Sequence, residues 1–196
     1  MAGRWRDTTP EELTGWLSEV DVPWWFAGGW ALDLWLGETT RVHSDIEIGC
    51  FREDLPQVLT QLGDWEVAIA RNKVLVPYDR DQPPPEPPFS LWIRRHGAEL
   101  WDFEVLVEER SGDRWLYRRD ERVGLPLTDL VLSTADGRRV IAPEVQLLYK
   151  SKAPRPKDEA DFDRFSPHLD DRRRRWLLDA LGTTDPSHPW IERLGG

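Results

Sequence analysis

The chain has 196 residues, a formal net charge of −10, 39% hydrophobic and 32% charged residues, 12 tryptophans and a single cysteine. That length allows one domain, or a core with a smaller appendage, and is enough to bury a real core. The negative balance counts against nucleic acid as the main partner, since phosphates need a positive field, and Cys50 alone excludes an internal disulfide or a cysteine-based zinc site.

In chain order, Thr8-Thr9-Pro10-Glu11-Glu12 combines a hydroxyl cap, a first-turn proline and acids at the positive helix end. Leu13, Trp16, Leu17 and Val20 follow at helical spacing, and Pro23 closes that helix. Residues 24–27 predict a short buried strand; Gly28-Gly29 then turn the chain into a helix that Gly37 stops. A second strand is expected over 45–51, a helix over 53–62, and strands over 65–70, 73–78, 89–94, 99–107 and 115–118. The proline-rich stretch 81–88 is irregular and reads as a connector. A hairpin over 130–141 turns at Asp136-Gly137. From Pro143 onward the pattern is helical, with breaks at Pro154 and Pro156. The expected division is therefore a catalytic core over residues 1–142 and a C-terminal helical segment over 143–196, in an α/β (α+β) fold with a mixed twisted sheet and flanking helices. The sequence contains neither an apolar N-terminal leader nor a long apolar run, so a soluble cytoplasmic protein without a membrane partner is expected.

The chemistry concentrates in two stretches. Asp45 and Glu47 alternate onto one face of their strand. Adjacent carboxylates repel unless a cation lies between them, and Mg²⁺ is commonly held by one or two carboxylates together with substrate phosphates. Gly28-Gly29 open a helix, whose free amides can hold phosphate. In the second stretch, Asp102 and Glu104 interrupt an apolar strand, a mismatch expected of a functional site. Asp33 either bonds back into the site or faces solvent. Arg41 and His43 pair either with Asp45 or with phosphate, and His43 is a poor ligand for hard Mg²⁺. Lys157, Asp158 and Asp161 are candidates for an ion-pair brace in the helical part.

The run GGWALDLWLGETTRVHSDIEI resembles the signature of the DNA polymerase β-like nucleotidyltransferases, and within them the branch of aminoglycoside 2″-adenylyltransferases and lincosamide nucleotidyltransferases. The resemblance covers about residues 10–170, with Asp102-Phe103-Glu104 matching the later Asp–apolar–acid pattern. It implies a nucleotidyltransferase-type fold and transfer of a nucleoside monophosphate, AMP from ATP first among them, to a hydroxyl of a small molecule such as an aminoglycoside. Residue by residue it implies that Gly28 and Gly29 approach the triphosphate and that Asp45 and Glu47 hold Mg²⁺. Asp102 either takes the acceptor proton or completes the metal site. Arg41, Ser44 and one of Lys150 and Lys152 complete the nucleotide contacts; a helix turns i and i+2 to different sides. Glu47 departs from the aspartate most of the superfamily has. Two other readings share the motif: a toxin-like transferase acting on protein or tRNA, and a nucleotide-binding module without turnover.

Overall fold

The computed structural model describes residues 5–72, 74–83 and 90–195, and its first helix starts at the expected cap. Thr9 Oγ1 accepts the Glu12 amide at 3.2 Å and Glu12 Oε2 accepts the Thr9 amide at 3.1 Å, a reciprocal box that opens α1 (Pro10–Trp16). Strand β1 (Trp24–Ala27) is apolar throughout and runs directly into α2 (Gly28–Leu36), which ends where Gly37 takes φ 82°. Strand β2 (Glu47–Phe51) pairs antiparallel with β1, placing Glu47 opposite Ala27. Because β1 stops there, residues 45 and 46 have no antiparallel partner, and β2 starts two residues later than the sequence pattern predicts.

Helix α3 (Leu55–Gln61) leads to the antiparallel strands β3 (Glu66–Arg71), β4 (Val74–Pro77) and β5 (Ser90–Arg94). The connector expected over 81–88 lies mostly outside the described residues. Strand β6 (Phe103–Ser111) pairs antiparallel with β5 and parallel with β2, so Glu104 stands beside Glu47 in register. β7 (Arg114–Leu116) and β8 (Gly124–Pro126) extend β6 as a small meander, and the four-residue helix α4 (Leu127–Leu130) leads to β9 (Val131–Ser133) and β10 (Arg139–Ile141). β10 lies parallel to β1, giving the order β4-β3-β5-β6-β2-β1-β10-β9. This is the mixed sheet expected.

Alternation along β6 sends Phe103 toward Trp16 of α1 and Glu108 toward Tyr149, so helices cover both faces. Tyr149 belongs to α5 (Pro143–Ser151), which α6 (Pro156–Phe165), α7 (Asp171–Thr184) and α8 (Trp190–Gly195) follow. Phe162 stacks on Trp190 at 4.1 Å, and both join the same apolar cluster as Phe26, Ile48 and Val105. Trp25, Trp115 and Trp190 are fully buried, as is Cys50. No described helix is long and apolar enough to cross a membrane.

One buried acid sits away from the sheet edge. Glu144 on α5 is 1% exposed, and although Arg173 Nε lies 3.3 Å from its Oε2, neither atom makes a hydrogen bond. Burial, opposed by its own amide and by Arg173, pushes its carboxyl up to about 7 from an ordinary 4.5. The folded state then holds a proton that the unfolded chain has lost, so stability falls as pH rises from 4.5 to 7. Glu144→Gln is expected to be more stable than the parent at pH 8, by on the order of 1 kcal/mol, with the difference closing near pH 4.5. Urea unfolding at the two pH values checks this; equal or lower stability of the variant at pH 8 contradicts it.

Candidate active site

The end of β1 and the starts of β2 and β6 meet at one edge of the sheet, and this places the carboxylates. Gly28 takes φ 67° at the turn into α2, a conformation costly for any side chain. Its amide donates to Gln146 Oε1 of α5 at 2.7 Å. A Cβ on Gly28 would overlap the Glu47 carboxylate, so the missing side chain is the space into which Glu47 folds. A Cβ on Gly29 would press on the Arg41 guanidinium and stand 2.6 Å from His43 Nδ1. Gly28→Ala is therefore expected to cost about 1–3 kcal/mol and to displace Glu47, measurable as a lower denaturation midpoint; an unchanged midpoint contradicts the packing.

Around this turn opens a cavity of about 390 Å³ lined by Asp45, Glu47 and Glu104, with Asp158 on a further wall. Burial, then Glu104 and Asp45, push the Glu47 carboxyl up to about 7, while Lys150 and Lys157 pull it down. Burial likewise raises Glu104, against hydrogen bonds from Ser90 and Trp92. Ionised together, these groups need a cation. The cradle left by Gly28 and an all-oxygen donor set fit a hard divalent ion such as Mg²⁺. Among the described residues no group of three acids, histidines or cysteines is placed to hold an ion by itself.

The rest of the lining is largely cationic: Arg41, Arg118, Arg119, Lys150, Lys152, Arg155 and Lys157. Lys150 Nζ bridges Asp158 at 3.2 Å and Asp161 at 2.8 Å. Arg155 Nε meets Asp158 at 2.7 Å, and Arg41 grips Asp161 through Nε at 3.0 Å and Nη2 at 3.1 Å. Burial opposes ionisation of Asp158, but Arg155 and Lys150 bring its carboxyl down to about 2. The expected brace exists with different members: Asp158 and Asp161 anchor it, while Lys157 forms no ion pair among the described residues and lines the cavity.

Several expectations are corrected. Asp102 does not join Asp45 and Glu47. Strand β6 starts one residue after it, and its carboxylate accepts from the Arg95 amide and Arg95 Nη2, each at 3.0 Å, with Arg6 at 3.7 Å. The Arg95 guanidinium lies over Trp16 and Trp65, on the Phe103 face of the sheet. Glu104, two residues on, lines the cavity with Asp45 and Glu47 instead. Both Lys150 and Lys152 line the cavity, because α5 ends at Ser151 and Lys152 leaves it extended, so helical spacing does not separate them. Ser44 is exposed and donates to Asp45 Oδ1 at 3.1 Å, outside the cavity lining. Asp33 and His43 form a buried pair at 2.6 Å. Burial works against Asp33 ionising, but His43 and two bonds from Thr40 hold its carboxyl below the usual value. The pair shapes the 40–45 loop and leaves the imidazole engaged. Gln146, Arg118, Arg119 and Tyr149 carry no sequence signal, since their neighbours come from distant strands.

Residues 11–83 match the aminoglycoside-2″-adenylyltransferase family. A 2″-aminoglycoside nucleotidyltransferase of Escherichia coli is 42% identical over 48 residues, covering 23% of this chain and 27% of that protein. Its counterpart in Klebsiella pneumoniae gives the same figures. The matched stretch thus spans about a quarter of the length of these relatives. Among solved structures, the lincosamide antibiotic adenylyltransferase LnuA with lincomycin bound superposes with a TM-score of 0.57 at 17% identity, covering 84% of this chain and 100% of that one. The solution structure of the antibiotic-resistance factor ANT(2″)-Ia gives a TM-score of 0.55 at 16% identity, covering 93% and 92%. The resemblance to the aminoglycoside 2″-adenylyltransferases is borne out over residues 11–83, and the solved structures bear out the fold.

Proposed function

We propose that this chain is a Mg²⁺-dependent nucleotidyltransferase that moves a nucleoside monophosphate, AMP from ATP, onto a hydroxyl of a small molecule. The observation that carries this reading is a cavity beside the Gly28 turn lined by Asp45, Glu47 and Glu104 together with several cations. Asp45 and Glu47 hold the ion. When bound, it polarises the phosphate and steadies charge on the attacking and leaving oxygens. The first amides of α2 lack intrahelical acceptors; Gln146 takes that of Gly28, and the Gly29 amide meets phosphate. Lys157 and Lys150, the latter fixed by Asp158 and Asp161, balance the charge of the phosphates. Glu104 accepts the acceptor's hydroxyl proton as that oxygen bonds to the α-phosphorus. The bond from the α-phosphorus to the bridging oxygen breaks, and pyrophosphate leaves with the electron pair.

Pyrophosphate release with Mg²⁺, each of the four NTPs and a panel of aminoglycosides, lincosamides and other hydroxyl compounds tests the reading, with Asp45→Ala as control. Acceptor-dependent release that vanishes in the variant supports it. Release only with protein or tRNA supports the toxin-like alternative, and metal-dependent nucleotide binding with no release under any acceptor supports a module without turnover.

A further inference from the structure

A second cavity, of about 350 Å³, opens beside the first and shares Arg119, Lys152 and Ala153 with it. Its remaining wall comes from Tyr117, Asp120, Ser151, Thr184, Asp185 and His188, where the turn after β7 faces the junction of α7 and α8. The cations at the shared boundary differ from those around the α6 brace. Arg41, Lys150 and Arg155 are each committed to Asp158 or Asp161, whereas Arg119 and Lys152 form no ion pair among the described residues.

Arg119 is nevertheless fixed. Its Nη1 donates to the Tyr149 carbonyl at 2.9 Å and to the Tyr117 hydroxyl at 3.2 Å, and its guanidinium lies 5.3 Å from the Tyr149 ring centre. Nε and Nη2 make no hydrogen bond among the described residues, leaving the edge of the guanidinium that grips a carboxylate or phosphate with two parallel bonds.

Both acids of the second cavity accept hydrogen bonds, but only Asp120 is held by a cation. Asp120 is gripped by Arg122 through Nε at 2.9 Å and Nη2 at 2.5 Å, and Asp185 Oδ1 accepts from the Ser187 hydroxyl at 2.9 Å and the Ser187 amide at 3.2 Å. His188 meets the Ser151 carbonyl through Nε2 at 3.0 Å and the Trp190 amide through Nδ1 at 3.1 Å, so both ring nitrogens are engaged. With Asp120 paired to Arg122, Asp185 is the one lining carboxylate without an ion pair among the described residues, so a polycation entering here meets two unpaired cations, Arg119 and Lys152, against one unpaired acid.

We infer that the second cavity seats the acceptor and that Arg119, with Lys152, binds an oxyanion on it, so the acceptor is a hydroxyl compound bearing a phosphate or carboxylate and not a polycation. The inference rests on nucleotidyl transfer for its meaning as an acceptor site.

The experiment uses one sugar scaffold that varies only in charge. Full-length protein, saturated with Mg²⁺ and a non-hydrolysable ATP analogue, is titrated by ligand-observed NMR with glucose, glucosamine, glucuronate and glucose 6-phosphate, and with tobramycin as polycation. Glucuronate, glucose 6-phosphate or both are expected to bind at least about tenfold tighter than glucose, with glucosamine and tobramycin no tighter than glucose. Which of the two anions leads distinguishes carboxylate from phosphate. Arg119→Gln should abolish the preference and Arg119→Lys should keep it. Equal affinities, a preference that survives Arg119→Gln, tighter binding of tobramycin, or no binding of any sugar overturns the inference. If the analogue itself does not bind, the nucleotide reading fails separately, and the same charge series on nucleotide-free protein still decides whether Arg119 selects anions.

Discussion

Glu47→Gln is expected to lower acceptor-dependent pyrophosphate release by at least about 10³-fold, roughly 4 kcal/mol of transition-state stabilisation, without unfolding the protein. The amide keeps the size and the place against Gly28 but removes the charge that holds the ion. Metal-free stability should move the other way. Glu47 has a folded value near 7 against an ordinary 4.5, so its ionisation costs stability that is lost as pH rises through that window. At pH 8 without divalent ions the variant should therefore melt above the parent, and added Mg²⁺ should raise the melting temperature of the parent alone. Steady-state kinetics and thermal melts at pH 8 with and without Mg²⁺ check both halves. A variant that keeps its turnover contradicts the role given to Glu47, and so does a variant that responds to Mg²⁺ as the parent does.

Glu104→Gln should cut kcat by about 10²- to 10⁴-fold with little change in nucleotide affinity, the size typical of a lost general base. Asp102→Asn should do the reverse. Its carboxylate is 1% exposed and tied to Arg95 and Arg6, so neutralising it weakens a buried charge cluster and lowers stability by about 1–3 kcal/mol while kcat stays within a few-fold. The pair distinguishes two acids two residues apart that point to opposite faces of the sheet. Turnover lost in Asp102→Asn and kept in Glu104→Gln would return the third carboxylate to Asp102.

That exchange shows which parts of the site the sequence reveals. Gly28, Gly29, Asp45 and Glu47 lie on one continuous β1–α2–β2 unit, where strand alternation and a glycine turn before a helix are local rules, and their adjacency is readable without tertiary knowledge. The choice between Asp102 and Glu104 depends on where β6 starts, and that is decided by Ile93 facing Phe103 across the ladder, a long-range pairing. The helical-spacing argument for Lys150 and Lys152 failed for a similar reason: the chain leaves α5 at Ser151, ahead of Pro154. Glu47 in place of the commoner aspartate becomes intelligible only with the Gly28 cradle, which takes up the extra methylene. The cationic wall was the least readable part, because Arg118 and Arg119 reach the cavity from the end of β7 and Gln146 and Tyr149 from α5, elements far apart in the chain.

The most direct measurement is a crystal structure of the protein grown with Mn²⁺ and a non-hydrolysable ATP analogue, with anomalous scattering used to find the ion. The account predicts an anomalous peak between the Asp45 and Glu47 carboxylates, analogue phosphates against the Gly29 amide and Lys157, and Glu104 open to the same cavity. An ion or nucleotide bound elsewhere, with Asp45 and Glu47 left without metal, would contradict it.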